Sequence, residues 1–262
     1  MNFEPLSRTI NRIAEWDQAQ RALASLRRAG AHLRDALRNA REARSGWRRA
    51  KREVDRRFDA ELGVDTGGIT AVRFLTVPPH RRDSAVDHIA IDPSEFGRAL
   101  AALPVSPDGF TFVDFGSGKG RAVLLAARLP FRRVVGVELT PELHQTALRN
   151  VQAGLSVPRR ADVELHCMDA CDYELPDAPL VLYLYHPFGP DVLAPLIRKV
   201  VSSYQRAPRP IFVLYLNPFH QQLWLDAGFV LQGADGNYAI LSAERPPAAQ
   251  PQANDSPAAV AE

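Results

Sequence analysis

Hydrophobic and polar positions change rhythm along the chain. Up to residue 60, apolar residues fall at helical spacing. Leu26, Leu33, Ala40, Trp47 and Val54 recur every seven positions, with Leu23, Leu37 and Phe58 beside them on the same stripe. No proline occurs between Pro5 and Pro78, and Ala, Leu, Arg and Glu abound, all of which favour helix. Gly30, Arg44 and Lys51 interrupt the stripe, which disfavours a long two-stranded coiled coil. The pattern predicts an amphipathic helical segment over 1–60, broken at Gly30 and Gly46, that packs onto the following domain.

A glycine- and proline-bearing connecting loop region is expected over 61–89. From about 90 to 244 short β-rich runs alternate with helical ones. Strands are predicted at 110–115, 134–139, 163–168, 180–185 and 211–216, and helices at 94–103, 119–129, 141–153, 191–205 and 219–227. The runs Leu180-Val181-Leu182-Tyr183-Leu184-Tyr185 and Ile211-Phe212-Val213-Leu214-Tyr215-Leu216 are apolar throughout, as central strands covered on both faces should be. Two last strands, 229–232 and 238–243, flank a turn at Asp235-Gly236 and form an antiparallel hairpin. The fold class is therefore α/β: a doubly wound, mostly parallel seven-stranded sheet with a terminal antiparallel hairpin, preceded by a helical segment. Residues 245–262 are rich in Pro, Ala and Gln, with too little apolar surface to offset ordering, and are expected to be a disordered tail.

Charge refines this division. The net charge of +2 speaks against a wholly basic nucleic-acid binder. Yet residues 1–60 hold 15 Lys/Arg against 8 Asp/Glu, or +7, while the remainder holds 17 against 22, or −5. A basic arm is thus joined to a mildly acidic body, and RNA or DNA binding through residues 1–60 is an alternative to simple packing. No apolar run approaches the ~18 residues of a membrane span. Met1 to Ile10 lacks a signal-peptide core, and two cysteines make no disulfide framework. A cytoplasmic location is the expectation. His166 and Cys167 point to opposite faces of a strand, so no metal site is expected there.

Chemistry in such a sheet gathers at the carboxyl ends of the strands. The first predicted strand runs into Asp114-Phe115-Gly116-Ser117-Gly118-Lys119-Gly120-Arg121. Glycines there permit positive φ and close approach of a ligand, and amides at the next helix start can receive an anionic group. The spacing is G-x-G-x-G, and Arg121 stands where the dinucleotide fingerprint needs its third glycine, which disfavours NAD. Glu138 ends the second strand and can accept hydrogen bonds from ribose hydroxyls; Asp169 follows the third and can accept from an adenine amino group.

The run D-F-G-S-G-K-G-R, followed by V-V-G-V-E-L-T-P-E-L, resembles class I S-adenosylmethionine-dependent methyltransferases. It is similar to seven-stranded protein lysine methyltransferases, and closer to a bacterial group of uncharacterised methyltransferases in which a segment like Phe58-Asp59 with Gly63 to Gly68 precedes the core. The resemblance implies S-adenosylmethionine as cofactor, held by Asp114, Gly116, Ser117, Gly118, Gly120, Glu138, Leu139, Asp169 and Ala170. Ser94 either touches the cofactor or caps its helix. Related amino-methylating enzymes carry Asn/Asp/Ser-Pro-Pro-aromatic after the fourth strand; here the run is Tyr185-His186-Pro187-Phe188, so the match is partial. His186, as base or orienting donor, Tyr185 and Asn217 are the candidate catalytic residues. The methyl acceptor, a protein side chain or a small molecule, and the oligomeric state stay open. The alternative reading is a non-catalytic cofactor-binding module that recruits RNA or a protein partner through its basic helices.

Overall fold

The computed structural model describes residues 45–154 and 161–243. The expected helices before residue 45, the break at Gly30 and the expected tail after residue 244 lie outside them. The chain divides into two compact units, residues 1–53 and 54–262. In the described part of the first, the chain is helical, and Trp47 is 49% exposed. The helix (α1) covers 45–62. Gly46 lies inside it, with nothing within 4 Å of the position its Cβ would take. It is therefore no break: the loss of helix propensity at one glycine, ~1 kcal/mol, is outweighed by the good formers around it.

In the second unit, β1 (Ile69–Thr70) pairs antiparallel with β2 (His88–Ile89). Then come α2 (Pro93–Ala101), β3 (Thr111–Phe115), α3 (Arg121–Ala126), β4 (Arg133–Glu138), α4 (Pro141–Gly154), β5 (Asp162–Cys167) and β6 (Leu180–Tyr185). They are followed by α5 (Pro190–Arg206), β7 (Ile211–Leu216), α6 (Gln221–Asp226), β8 (Phe229–Ala234) and β9 (Tyr238–Ala243). The main sheet has seven strands in the order β5-β4-β3-β6-β7-β9-β8. Five are parallel, and β9 runs antiparallel to both neighbours. The mostly parallel, doubly wound seven-stranded sheet with its antiparallel strand pair, as read from the sequence, is what the chain forms. After β5 the chain returns to lay β6 beside β3, so the order reverses between these two.

Alternate residues of the central strands feed two cores. Val113, Phe115, Leu180, Leu182 and Leu184 pack with Leu193, Leu196 and Val200 of α5. Phe112, Val181 and Tyr183 pack with Phe96 and Ala99 of α2 and Val123 and Ala126 of α3. The helices thus cover both faces, which is why β3 and β6 show no polar alternation.

Three of the boundaries that differ from the sequence reading have a local cause. Helix α3 starts at Arg121 because Gly118 and Gly120 take positive φ, 54° and 85°, and hold Lys119 outside it. Helix α6 starts at Gln221 because the Phe219 N–H closes a tight turn on the Asn217 carbonyl, 2.8 Å away. Strand β8 continues to Ala234 through a register shift between Leu231 and Gly233. The bulge breaks the two-residue alternation that sequence reading relies on.

Residues 69–91 form a strap of short pieces across the carboxyl edge. Thr76 donates to Glu142 at the start of α4, Arg81 to Asp169 after β5, and Ser84 to Asp191 at the start of α5. Ala85 bridges Phe188 after β6. The preceding stretch is clasped by Arg121, a 3% exposed arginine that donates to Asp55, Thr66 and the Ile91 carbonyl, with its guanidinium 4.8 Å from the Phe58 ring centroid. Asp59 accepts from Thr66 and Gly67, and Asn150 pairs with the Asp65 backbone. The 58–68 motif is thus a polar clasp that starts the strap.

Candidate active site

Under the strap lies a cavity of about 490 Å³ at the carboxyl edge, astride the switch between β3 and β6. Its volume suits a ligand of cofactor size. The ends of β3, β4 and β5 line one side with Asp114, Gly116, Ser117, Gly118, Glu138, Leu139, Asp169 and Ala170. The ends of β6 and β7 line the other with Tyr185, His186 and Asn217. Eleven of the twelve candidate residues therefore meet in one cavity.

Gly120 is the exception. It caps α3 in the left-handed region and lies against α4, where a Cβ would fall 3.3 Å from the Ala147 Cβ. Ser94 also lies away from the cavity lining: its N–H and hydroxyl both donate to Asp92, the cap of α2.

The glycine loop is shaped by contact on both flanks. A Cβ at Gly116 would sit 2.4 Å from the Pro187 Cβ, and one at Gly118 would sit 2.3 Å from His88 Nδ1. Its amides are largely spent inside the fold. Those of Gly116 and Ser117 donate to the Val137 carbonyl, that of Gly118 to Glu138, and that of Gly120 to the Ser117 carbonyl. The loop itself therefore offers a ligand close backbone approach more than free donors.

Glu138 is buried and already holds three donors. Its Oε2 accepts the Gly118 N–H at 2.9 Å, and its Oε1 accepts the Thr140 N–H and hydroxyl at 2.9 and 2.7 Å. Burial still wins over these bonds and pushes its carboxyl up from the ordinary range. Asp114 is pushed well above that range, by burial first and then by the Glu138 charge. The Glu138 charge thus adds to burial in disfavouring the charged form of Asp114.

Asp169 is different. Burial pushes its carboxyl up, but the Arg81 Nε hydrogen bond at 2.6 Å, the Cys171 N–H at 2.9 Å and the Arg81 charge outweigh burial, so it lies below its usual value. Arg81 comes from the strap and gives no hint in the sequence of where it would land. The same holds for Thr140 against Glu138 in part, although its place two residues after the acid puts it within reach.

His186 and Asn217 are the non-glycine residues with positive φ among the described residues, at 41° and 48°. The Asn217 N–H donates to the Asn237 carbonyl at 2.8 Å. Tyr185 is pushed up by burial, then by Glu95. The His186 ring lies 4.7 Å from the Phe219 ring and 5.5 Å from the His220 ring. Burial, then His220, lower its pKa, so it is neutral near pH 7. Phe219 is 76% exposed. Backbone strain thus falls at two adjacent strand ends on this side of the cavity, near an exposed aromatic.

Residues 113–185 match the family model described as a methyltransferase domain. The matched stretch runs from β3 to the end of β6, so it contains the glycine loop, Glu138 and Asp169. A comparison with curated protein sequences gives no match. Solved structures with similarity include a precorrin-6y C5,15-methyltransferase from Geobacter metallireducens, 16% identical, covering 66% of this chain and 95% of that one with a TM-score of 0.46. TrmN from Thermus thermophilus is 19% identical over 58% of this chain and 48% of its own, with a TM-score of 0.43. The 23S rRNA methyltransferase ErmE is 16% identical over 59% and 68%, with a TM-score of 0.42.

Proposed function

We propose that this chain is an S-adenosylmethionine-dependent methyltransferase. The observation that carries the reading is the buried acid pair Asp114 and Glu138 beside the glycine loop, in one cavity with Asp169. A ligand with a sulfonium and an ammonium suits these acids. Ser117 Oγ and Tyr183 Oη, buried and without a hydrogen-bond partner among the described residues, belong to residues on the same lining. They supply further polar atoms for it.

Glu138 would hold the ribose through the acceptor capacity that Gly118 and Thr140 leave. Asp169 would receive the adenine amino group beside Arg81, and the glycine loop would lie along the methionine part. When bound, the cofactor supplies an electrophilic methyl group on sulfur. Tyr185, His186 and Asn217 would hold the acceptor in line with it. Orientation of this kind is worth up to ~7–11 kcal/mol. The strap and Phe188 would keep water out. The acceptor is a protein side chain or a small molecule, and the site of action is the cytoplasm.

Calorimetry with S-adenosylmethionine and its demethylated product tests the reading. Micromolar binding is expected, lost in Gly118→Arg and weakened at least tenfold in Glu138→Ala. Failure of the folded wild-type chain to bind either compound overturns it. Binding without transfer of labelled methyl into a cell lysate would instead favour a recruiting module that acts through residues 1–60.

A further inference from the structure

His186 Nδ1 lies 3.4 Å from the hydroxyl of Tyr215. Hydrogen bonds of this length are common in ligand-free sites and shorten on binding. Tyr215 is 1% exposed, on β7, with the His186 ring as the hydrogen-bond partner of its hydroxyl. A phenol oxygen has two lone pairs and one hydrogen. If His186 donated from Nδ1, the hydroxyl hydrogen of Tyr215 would be left buried, with no acceptor among its hydrogen-bond partners. Such an orphan costs roughly 1–3 kcal/mol. If Tyr215 donates to Nδ1, every group is satisfied. The ring proton then sits on Nε2, the remaining polar atom of a ring that lines the cavity.

We propose that Tyr215 is a positioning residue that holds His186 as the Nε2–H tautomer, so that His186 gives a hydrogen bond to a lone-pair-bearing oxygen or nitrogen of the methyl acceptor and takes no proton from it. The relay runs from the Tyr215 hydroxyl to His186. It is braced by the left-handed backbone at His186 and by the rings of Phe219 and His220. Burial, then His220, lower the His186 pKa and so favour the uncharged ring. The acceptor this selects carries a carbonyl oxygen or an unprotonated ring nitrogen at or beside its nucleophile; an ammonium, which needs a base, fits poorly.

The acceptor class rests on the methyltransferase reading, but the tautomer is a property of the chain alone, so the two can fail separately. The test is two-bond proton–nitrogen NMR on the full chain labelled with 15N-histidine at pH 7.5, with His186 assigned by His186→Gln. The expected spectrum shows His186 neutral, with Nε2 protonated and Nδ1 bare. In Tyr215→Phe, the Nε2–H form is expected to lose its dominance. A wild-type ring that is charged, or mainly protonated on Nδ1, overturns the proposal. So does a folded Tyr215→Phe variant with an unchanged tautomer. Should Tyr215→Phe fail to fold, the wild-type spectrum decides.

Discussion

His186 and Asn217 stand side by side, each one residue beyond the last register pair of β6 and β7, Tyr185 with Leu216, and each in the left-handed region. Side chains with a Cβ pay roughly 1–2 kcal/mol for that backbone. At Asn217 the strain is separable from the chemistry. Asn217→Gly is expected to change unfolding free energy by less than about 1 kcal/mol. Asn217→Val, β-branched at the same φ, should lose at least ~1–2 kcal/mol. Urea unfolding of the two variants checks this order; equal stabilities would mean the turn relaxes on substitution.

The glycine loop gives a ranking. Gly116 faces the rigid ring of Pro187, whereas Gly118 faces the imidazole of His88. Both carry positive φ. Removing the His88 ring should therefore relieve much of the cost of Gly118→Ala, leaving ~1–2 kcal/mol for the backbone alone. Thermal melts of Gly118→Ala with and without His88→Ala measure the coupling. Additive effects would show that the two do not compete for space.

Arg121 is predicted to be the costliest single charge to remove. Arg121→Met takes the guanidinium from buried Asp55 and partly buried Asp59, a loss of about 3–5 kcal/mol for a broken buried pair. Asp55→Asn in the Arg121→Met background should recover part of it. The readout is the urea midpoint, and no recovery would locate the damage elsewhere.

Arg81 and Asp169 set an acid limb. The folded carboxyl lies below its ordinary value, so its contribution to stability is present above the unfolded value of ~3.9 and lost as pH falls through the folded one. The stability gap between wild type and Arg81→Met should thus be present at pH 6 and shrink below about pH 4. A gap that stays constant to pH 2.5 would show that Arg81 stabilises by packing alone.

Asp114 has the opposite sign. Its folded carboxyl lies well above the ordinary range, so it takes up a proton on folding, and the ligand-free chain loses stability as pH rises through the unfolded value. Asp114→Asn should therefore raise the melting temperature of the ligand-free chain at pH 7 while weakening cofactor binding. A lower melting temperature together with unchanged binding would contradict both halves.

Much of the fold and of the candidate site is legible in the sequence. The alternation of apolar runs and helical segments carried the seven-stranded sheet, because each strand and helix shows its own period locally. The loop residues Gly116 and Gly118, and the acids Glu138 and Asp169, could be placed because strand ends of a parallel sheet converge on one edge. Gly46 misled because a single glycine is a weak break. The ends of α3, α6 and β8 were misplaced because a left-handed loop, a tight turn and a bulge carry no periodic signal.

Sequence alone therefore determined which groups stand at the carboxyl edge. Tertiary structure decided which of them are spoken for. Arg81 reaches Asp169 across 88 residues and Arg121 reaches Asp55 across 66, and Tyr215 meets His186 from the neighbouring strand. The amides of Gly116, Ser117 and Gly118 turn inward to Val137 and Glu138. Local periodicity records the backbone preference of each segment. The partner of a buried charge or hydroxyl depends on which distant segment the packed sheet brings within about 3 Å, and no local pattern encodes that.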